Sequence, residues 1–292
     1  MNKSPIDLSD AARRAYWTEQ MELGSALVEE LIAFPVEEGG ESLASLREAA
    51  AVTKVEMLFS GTKIAGELER VFYLRRSLVH DFMTIAREMN QRGWILKIED
   101  GFRSLEMQSS LVRKPAVFDA VLKKCLWENG GSLPSAEMIF RRALIMVANI
   151  PKIGTHMSGS AIDISVFHRV DGREVWRGNP YLDVSESTPM NSPYLSVSAR
   201  ENRRAITAVM EKHGFVHFPF EFWHYNQGDA LAHILTNNPA PCRYGAVNWN
   251  PGTNEVTAVV DTLTPLNPLP VIQIEIAAAM ACPVGTGCLR IF

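Results

Sequence analysis

Cysteine is scarce in this sequence, and its spacing excludes the common cysteine-based metal and redox sites. The chain has 292 residues and four cysteines, and no two of them have the Cys-x-x-Cys spacing. None lies within the histidine and aspartate motifs described below. We predict free thiols in a reducing compartment, with a Cys282–Cys288 bridge as the alternative, because Gly285 and Gly287 would let that loop turn. The four are Cys125, Cys242, Cys282 and Cys288.

Long apolar runs and a strong net charge are also absent. No stretch reaches the roughly 18 apolar residues of a membrane-spanning helix, and the polar start of the sequence lacks the apolar run of a signal peptide. The formal net charge of −4 gives no reason to expect nucleic acid or an anionic membrane surface as a partner. The sequence therefore predicts a cytoplasmic globular protein.

Helical patterns are concentrated early in the chain and strand patterns late. This order favours an α+β fold over a doubly wound parallel sheet. Apolar periodicity predicts helices at residues 8–34, 43–52, 68–91, 105–128 with a break at Pro115, 135–148 and 198–213. Strands are predicted at residues 57–62, 94–99, 161–166, 215–225, 255–260 and 271–276.

Two short motifs supply the side-chain types that a catalytic metal needs. The first, Gly-Thr-His-Met-Ser-Gly-Ser-Ala-Ile-Asp, contains His156 and ends at Asp163; the second, Glu-Phe-Trp-His, runs from Glu221 to His224. A catalytic zinc ion requires three nitrogen or oxygen ligands, an open fourth position and a base beside its water. These four side chains match that requirement. As residue types alone, they are equally compatible with ordinary buried histidines and carboxylates.

The local pattern predicts how these side chains converge. Alternation over residues 161–166 predicts a strand that presents Asp163, preceded by a loop that holds His156 and a tight turn at Gly159. On a regular strand, residues three apart face opposite ways, so an irregular backbone is predicted at residues 221–222. A His–Asp–His set would leave zinc with a charge near +1 and leave Glu221 free as a base.

The motifs resemble the SxHxxGxAxD and ExxWH signatures of the zinc D-Ala-D-Ala peptidase family. That family includes the D-alanyl-D-alanine dipeptidases of vancomycin resistance and related muralytic carboxypeptidases. Every position of the first signature matches except its leading serine, which is Gly154 here. Upstream, Asp-Gly-Phe-Arg at residues 100–103 is similar to the family's Asp-x-(Tyr/Phe)-Arg element. The resemblance spans residues 68–235.

The resemblance implies one Zn²⁺ per chain, with His156, Asp163 and His224 as ligands and Glu221 as the catalytic base. It also implies that Arg103 stabilises the negative charge that develops on the peptide carbonyl oxygen, a role that suits a guanidinium. The alternative for Arg103 is a surface ion pair with a neighbouring glutamate, Glu99 or Glu106.

Substrate contacts are also inferred from the resemblance. Asp183 is similar to the loop acid that meets the substrate's ammonium in the dipeptidases; the alternative is a solvated loop carboxylate. Thr155 is the candidate to replace the hydrogen bond of the missing serine at position 154. Trp223 is expected to pack beneath the metal site.

The resulting prediction is a zinc metallopeptidase that hydrolyses a short D,D-peptide, with D-Ala-D-Ala as the first choice. The expected fold is a small antiparallel sheet flanked by helices, hedgehog/D,D-peptidase-like, at residues 61–238. A helical segment would precede it at 1–60, and a β-rich extension at 239–292 would follow, whose apolar edge strand could pair two chains. The alternatives are a D,D- or L,D-carboxypeptidase acting on cell-wall muropeptides and a non-catalytic zinc-binding module.

Overall fold

The structure, a computed structural model, describes residues 8–281 and contains nine α-helices and nine strands there. The helices are α1 (Asp10–Ala33), α2 (Leu46–Thr53), α3 (Arg76–Gln91), α4 (Leu105–Val112), α5 (Pro115–Glu128), α6 (Ala136–Val147), α7 (Val197–Lys212), α8 (Ala230–Leu235) and α9 (Leu269–Ala281). The strands are β1 (Leu43–Ser45), β2 (Met57–Phe59), β3 (Tyr73–Arg75), β4 (Trp94–Asp100), β5 (Ala161–His168), β6 (Val216–His217), β7 (His224–Asn226), β8 (Val247–Asn250) and β9 (Glu255–Ala258). No described helix is both long and apolar enough to span a membrane.

Five strands form the central sheet, in the order β2-β4-β5-β7-β6. β4, β5, β7 and β6 pair antiparallel, but β2 pairs parallel with β4. The prediction of a wholly antiparallel sheet is therefore wrong at this edge. The chain between β2 and β4 forms β3 and α3, and this crossover returns it to the same end of the sheet, as a parallel pair requires.

The main core lies on one face of β5. Ile162, Ile164 and Val166 are fully buried, as the alternation of the sequence predicted. They belong to one apolar cluster with side chains of α3 and α7, including Phe82, Ile85, Ile206, Val209 and Met210. Each such burial contributes about 1.5–3 kcal/mol. The opposite face of β5 is left for Asp163.

Two predicted helices begin later than expected. The helices predicted from residues 43 and 68 start at Leu46 and Arg76, because the residues before them form β1 and β3, which pair with each other. Their apolar spacing suits either structure, and only the pairing between distant segments distinguishes them. The break predicted at Pro115 is confirmed: proline occupies the first turn of α5, where its missing N–H costs no hydrogen bond.

The end of the described chain differs from the prediction. Residues 271–276, predicted as a strand, lie inside α9. Ile272 and Ala279 of this helix are buried in a cluster with Ile139 and Ala143 of α6. Within residues 239–281, the extension is therefore a β8–β9 hairpin followed by a helix, and the proposed pairing of chains through an apolar edge strand at residues 271–276 loses its basis.

The cysteines are in part accounted for. Cys125 and Cys242 are buried free thiols, as predicted. The suggested Cys282–Cys288 bridge lies outside the described residues.

The N-terminal helix packs onto the rest of the chain. Trp17, Met21 and Val28 of α1 are buried in one cluster with Ile145 of α6. Together with α5, these helices border one cavity. The division at residues 60 and 238 stays a prediction.

Candidate metal centre

Three neighbouring strands place three polar side chains in a row. Asp163 of β5 lies opposite Asp100 of β4 and opposite His224 of β7. Residues directly opposed across antiparallel strands project from the same face of the sheet. The sheet register itself therefore brings two of the predicted ligands together.

His156 reaches the same point from a 3₁₀ turn, Thr155–Ser158, that precedes β5. Gly159 ends this turn with φ +71°, where a Cβ atom would lie 2.6 Å from Leu43 Cδ2. Glycine is the residue that adopts this conformation without a steric penalty. His156 Nδ1 lies 2.7 Å from the carbonyl oxygen of Gly101, and His156 Nε2 lies 3.3 Å from Asp163 Oδ1. The predicted loop and tight turn are thus confirmed.

His224 completes the cluster. Its Nδ1 lies 2.9 Å from Asp163 Oδ1, and its Nε2 lies 2.9 Å from Thr155 Oγ1. One potential ligand atom from each of His156, Asp163 and His224 lies within 4.8 Å of the others. Two imidazole nitrogens and a carboxylate oxygen form a donor set that suits Zn²⁺. Each histidine also has its other ring nitrogen beside a protein oxygen, as metal-bound histidines usually do.

Asp163 is ionised at the centre of this cluster. Burial would raise the pKa of Asp163, but His156 and His224 outweigh it and hold the pKa well below its ordinary value. The second oxygen, Oδ2, accepts a hydrogen bond of 2.8 Å from the Tyr181 hydroxyl. The sequence motifs assign no role to Tyr181, because only the folded loop brings its hydroxyl to Asp163.

Glu221 lies beside the cluster on the irregular segment that leads into β7. Residues 222–223 form a turn, which confirms the predicted irregularity. Burial raises the pKa of Glu221 to about 7, and the Asp163 charge adds to the rise, although His224 and Arg103 oppose it. A carboxylate with a pKa near neutrality can both accept and donate a proton at physiological pH.

Arg103 is held in the site by its own neighbours. Its Nε donates to Asp100 Oδ2 at 2.7 Å, and its Nη1 donates to Gln108 Oε1 at 3.1 Å. Its Nη2 lies 3.9 Å from Asp163 Oδ2. The side chain is only 12% exposed, so the alternative of a surface ion pair with a neighbouring glutamate is wrong.

A single cavity of about 680 Å³ joins these groups. Trp223 also borders it and packs its ring edge-on against Tyr181, 5.6 Å between centroids. The cavity continues between α1, α5 and α6. All seven predicted site residues line it: Arg103, Thr155, His156, Asp163, Asp183, Glu221 and His224.

The remaining histidines of the described chain take no part in the cluster. His213 and His217 lie beside Glu88 and Glu211, and His233 lies beside a backbone carbonyl. Within residues 8–281, His156, Asp163 and His224 are the one group of three such residues with converging ligand atoms.

Comparison with known proteins finds similar sequences among dipeptidases. A family described as D-ala-D-ala dipeptidase matches residues 134–243. A D-alanyl-D-alanine dipeptidase of Enterococcus faecalis is 30% identical over 153 residues, covering 52% of this chain and 67% of that protein. A second, from Enterococcus faecium, is 27% identical over 106 residues, covering 36% of this chain and 48% of its own length.

The segment matched by the family contains the three clustered residues and Glu221, whereas Arg103 lies before it. Among solved structures, an LD-carboxypeptidase is similar over 71% of this chain and 78% of its own, at 15% identity and a TM-score of 0.36.

Proposed function

Because the chain belongs to the D-Ala-D-Ala dipeptidase family, we propose that it hydrolyses short D,D-peptides, with D-Ala-D-Ala as substrate. The observation that carries this proposal is the convergence of His156, Asp163 and His224 beside Glu221 and Arg103 in one cavity. The family supplies the class of reaction, and the residues supply each group that the reaction needs. We further propose a hedgehog/D,D-peptidase-like arrangement for the fold.

His156, Asp163 and His224 would hold one Zn²⁺ per chain. When bound, the ion would lower the pKa of a water molecule and polarise the peptide carbonyl. Gly101 and Thr155 orient the two imidazoles through their other ring nitrogens. Tyr181 occupies the second oxygen of Asp163 with a hydrogen bond, which leaves the first oxygen to face the histidines.

Glu221 would carry the proton through the reaction. It accepts a proton from the attacking water as the water oxygen bonds to the peptide carbon, and it returns a proton to the leaving nitrogen as the C–N bond breaks. Its pKa of about 7 suits both transfers. Arg103, which Asp100 and Gln108 hold in place, would stabilise the negative charge on the carbonyl oxygen.

Asp183 would bind the free ammonium of the substrate. It lies in the loop that also carries Tyr181, and its exposed side chain borders the cavity. The Thr155 hydroxyl already lies within hydrogen-bond distance of His224 Nε2. We therefore propose that Thr155 orients that ligand and does not bind the substrate.

The second candidate is a D,D- or L,D-carboxypeptidase acting on cell-wall muropeptides. The observation in its favour is the cavity volume of about 680 Å³, which falls in the range of ~300–1,000 Å³ that holds ligands larger than two alanines. A purely structural zinc site is disfavoured, because it would need neither Glu221 nor Arg103 at its open side.

The test is release of free D-alanine from D-Ala-D-Ala by the purified chain, with chelation and zinc add-back. Glu221→Gln should lower kcat by roughly 100- to 10,000-fold and still bind one zinc ion. Glu201→Gln, an exposed position on α7, is the matched control and should keep full activity. Full activity in Glu221→Gln would remove the proposed base. Release of terminal D-alanine from a pentapeptide, with D-Ala-D-Ala left intact, would support the carboxypeptidase instead.

A further inference from the structure

The cavity extends well beyond the groups that hydrolyse the peptide bond. One part of it lies between α1, α5 and α6, and apolar side chains line it there. They are Leu27, Val28, Leu31, Val117, Val121 and Leu144. A D-Ala-D-Ala molecule, with two methyl side chains, would leave much of the volume unfilled. The shape therefore suits a substrate with at least one longer side chain.

Lys124 brings a positive charge to this cavity from α5. Its side chain is half-buried, and its ammonium lies 5.2 Å from the ring centroids of both Trp17 and Trp127. Such cation–π contacts hold the ammonium in place without neutralising it. Two aromatic rings therefore fix a charged group at the wall of the cavity.

No carboxylate in the described part of the chain pairs with Lys124 within 4.0 Å. The neighbouring acid Glu186 is bound to Arg13 at 3.0 Å instead. Desolvation lowers the pKa of Lys124, whereas the charges of Glu186 and Asp183 raise it. Asp183 is thus close enough to act on Lys124 electrostatically, yet the two are not bonded to each other.

Lys124 and Asp183 present opposite charges in the same cavity. We propose that they select a substrate whose amino-terminal residue has an acidic side chain. Asp183 would bind the α-ammonium, and Lys124 would bind the side-chain carboxylate of that residue. The inference rests on the proposed function, since it assumes that the amino end of the substrate lies toward Asp183.

Three dipeptides separate charge from size in the test. D-Glu-D-Ala and D-Gln-D-Ala have nearly the same shape and differ in charge, and D-Ala-D-Ala serves as the reference substrate. The wild-type kcat/KM for D-Glu-D-Ala should exceed that for D-Gln-D-Ala roughly tenfold, as expected for one hydrogen bond to a charged group. In Lys124→Met, which keeps an unbranched apolar stem, the ratio should fall to about one. Since both substrates meet the same enzyme sample, the ratio does not depend on the folded fraction.

Lys123→Met is the control for charge alone. Lys123 neighbours Lys124 and borders the cavity, but its side chain is exposed to water, which screens its charge. In Lys123→Met, the ratio of kcat/KM for D-Glu-D-Ala to kcat/KM for D-Gln-D-Ala should stay within about twofold of the wild-type value. The inference would be overturned by a wild-type ratio near one, by an unchanged ratio in Lys124→Met, or by a fall of the ratio in Lys123→Met equal to that in Lys124→Met. In each of these cases, cleavage of D-Ala-D-Ala would still uphold the proposed function. Absence of cleavage of all three dipeptides would overturn both.

Discussion

Asp163 is the residue on which the candidate centre depends most. Its carboxylate lies within 3.3 Å of both imidazoles and accepts a hydrogen bond from Tyr181. One buried anion thereby orients three side chains from separate segments. Because a lone buried carboxylate would be strongly unfavourable, the same contacts that organise the site also make the ionised form stable there.

At the same scale, Glu221 should make the metal-free protein sensitive to pH. Its folded pKa of about 7 lies above the ordinary value of 4.5, so the folded state favours the protonated form. The contribution of protonated Glu221 to the free energy of unfolding is fully present below pH 4.5 and is lost as the pH rises through about 7. The Glu221→Gln side chain cannot ionise. As the pH rises over this range, the free energy of unfolding of this variant should therefore increase relative to that of wild type by at most about 3 kcal/mol.

Urea unfolding of chelator-treated protein at pH 4.5, 6 and 8 measures this difference. Comparison of the two proteins at each pH cancels the other titrating groups. Glu201→Gln should follow wild type at all three values. A constant difference between Glu221→Gln and wild type would contradict the elevated pKa.

At the scale of elements, one arginine fastens the loop that carries Tyr181 and Asp183. Arg203 of α7 is fully buried and donates to the carbonyl oxygens of Arg177, Ser187 and Pro189 at 2.7–2.8 Å. Its guanidinium also lies 4.1 Å from the ring centroid of Phe222. The helix, the loop and the turn beside the proposed base are therefore joined by one side chain.

Arg203→Met should free this loop. Several buried carbonyl oxygens would lose their hydrogen-bond donor, and each unsatisfied group costs about 1–3 kcal/mol. The free energy of unfolding should therefore fall by at least about 3 kcal/mol. Hydrogen exchange should rise over residues 178–190 before it rises in β5. Arg204→Met, at the exposed neighbouring position, is the control. Equal protection of residues 178–190 in both variants would show that the loop does not depend on Arg203.

At the scale of the whole molecule, the proposed ligands join segments that are far apart in sequence. His156 and His224 are separated by 68 positions and come from a 3₁₀ turn and β7. A metal ion that binds only when these segments meet stabilises the folded state. Loss of the ion should thus lower the free energy of unfolding of the entire fold.

Zinc at about 1,000 times its Kd should stabilise the chelator-treated protein by about 4 kcal/mol. For a chain of this size the melting temperature should rise by about 10 °C, which calorimetry can measure. His224→Asn should abolish the rise, whereas His80→Asn, at an exposed position on α3, should keep it. An equal rise in His224→Asn would place the ion elsewhere.

The sequence by itself determined the elements whose signals are local. The alternation over residues 161–166 and the stop at Pro115 each depend on neighbours within a few positions, and both agree with the structure. The two histidine motifs were recognisable for the same reason, since the candidate site residues of each motif lie within a stretch of ten residues or fewer.

Only the tertiary structure decided the features that depend on distant partners. Residues 271–276 are apolar enough for either strand or helix, and packing against α6 makes them helical. The parallel pairing of β2, the hydrogen bond from Tyr181 to Asp163 and the cavity between α1, α5 and α6 likewise arise from contacts between remote segments. Such contacts leave no periodic pattern in the sequence, because burial and pairing depend on which surfaces meet after the chain folds.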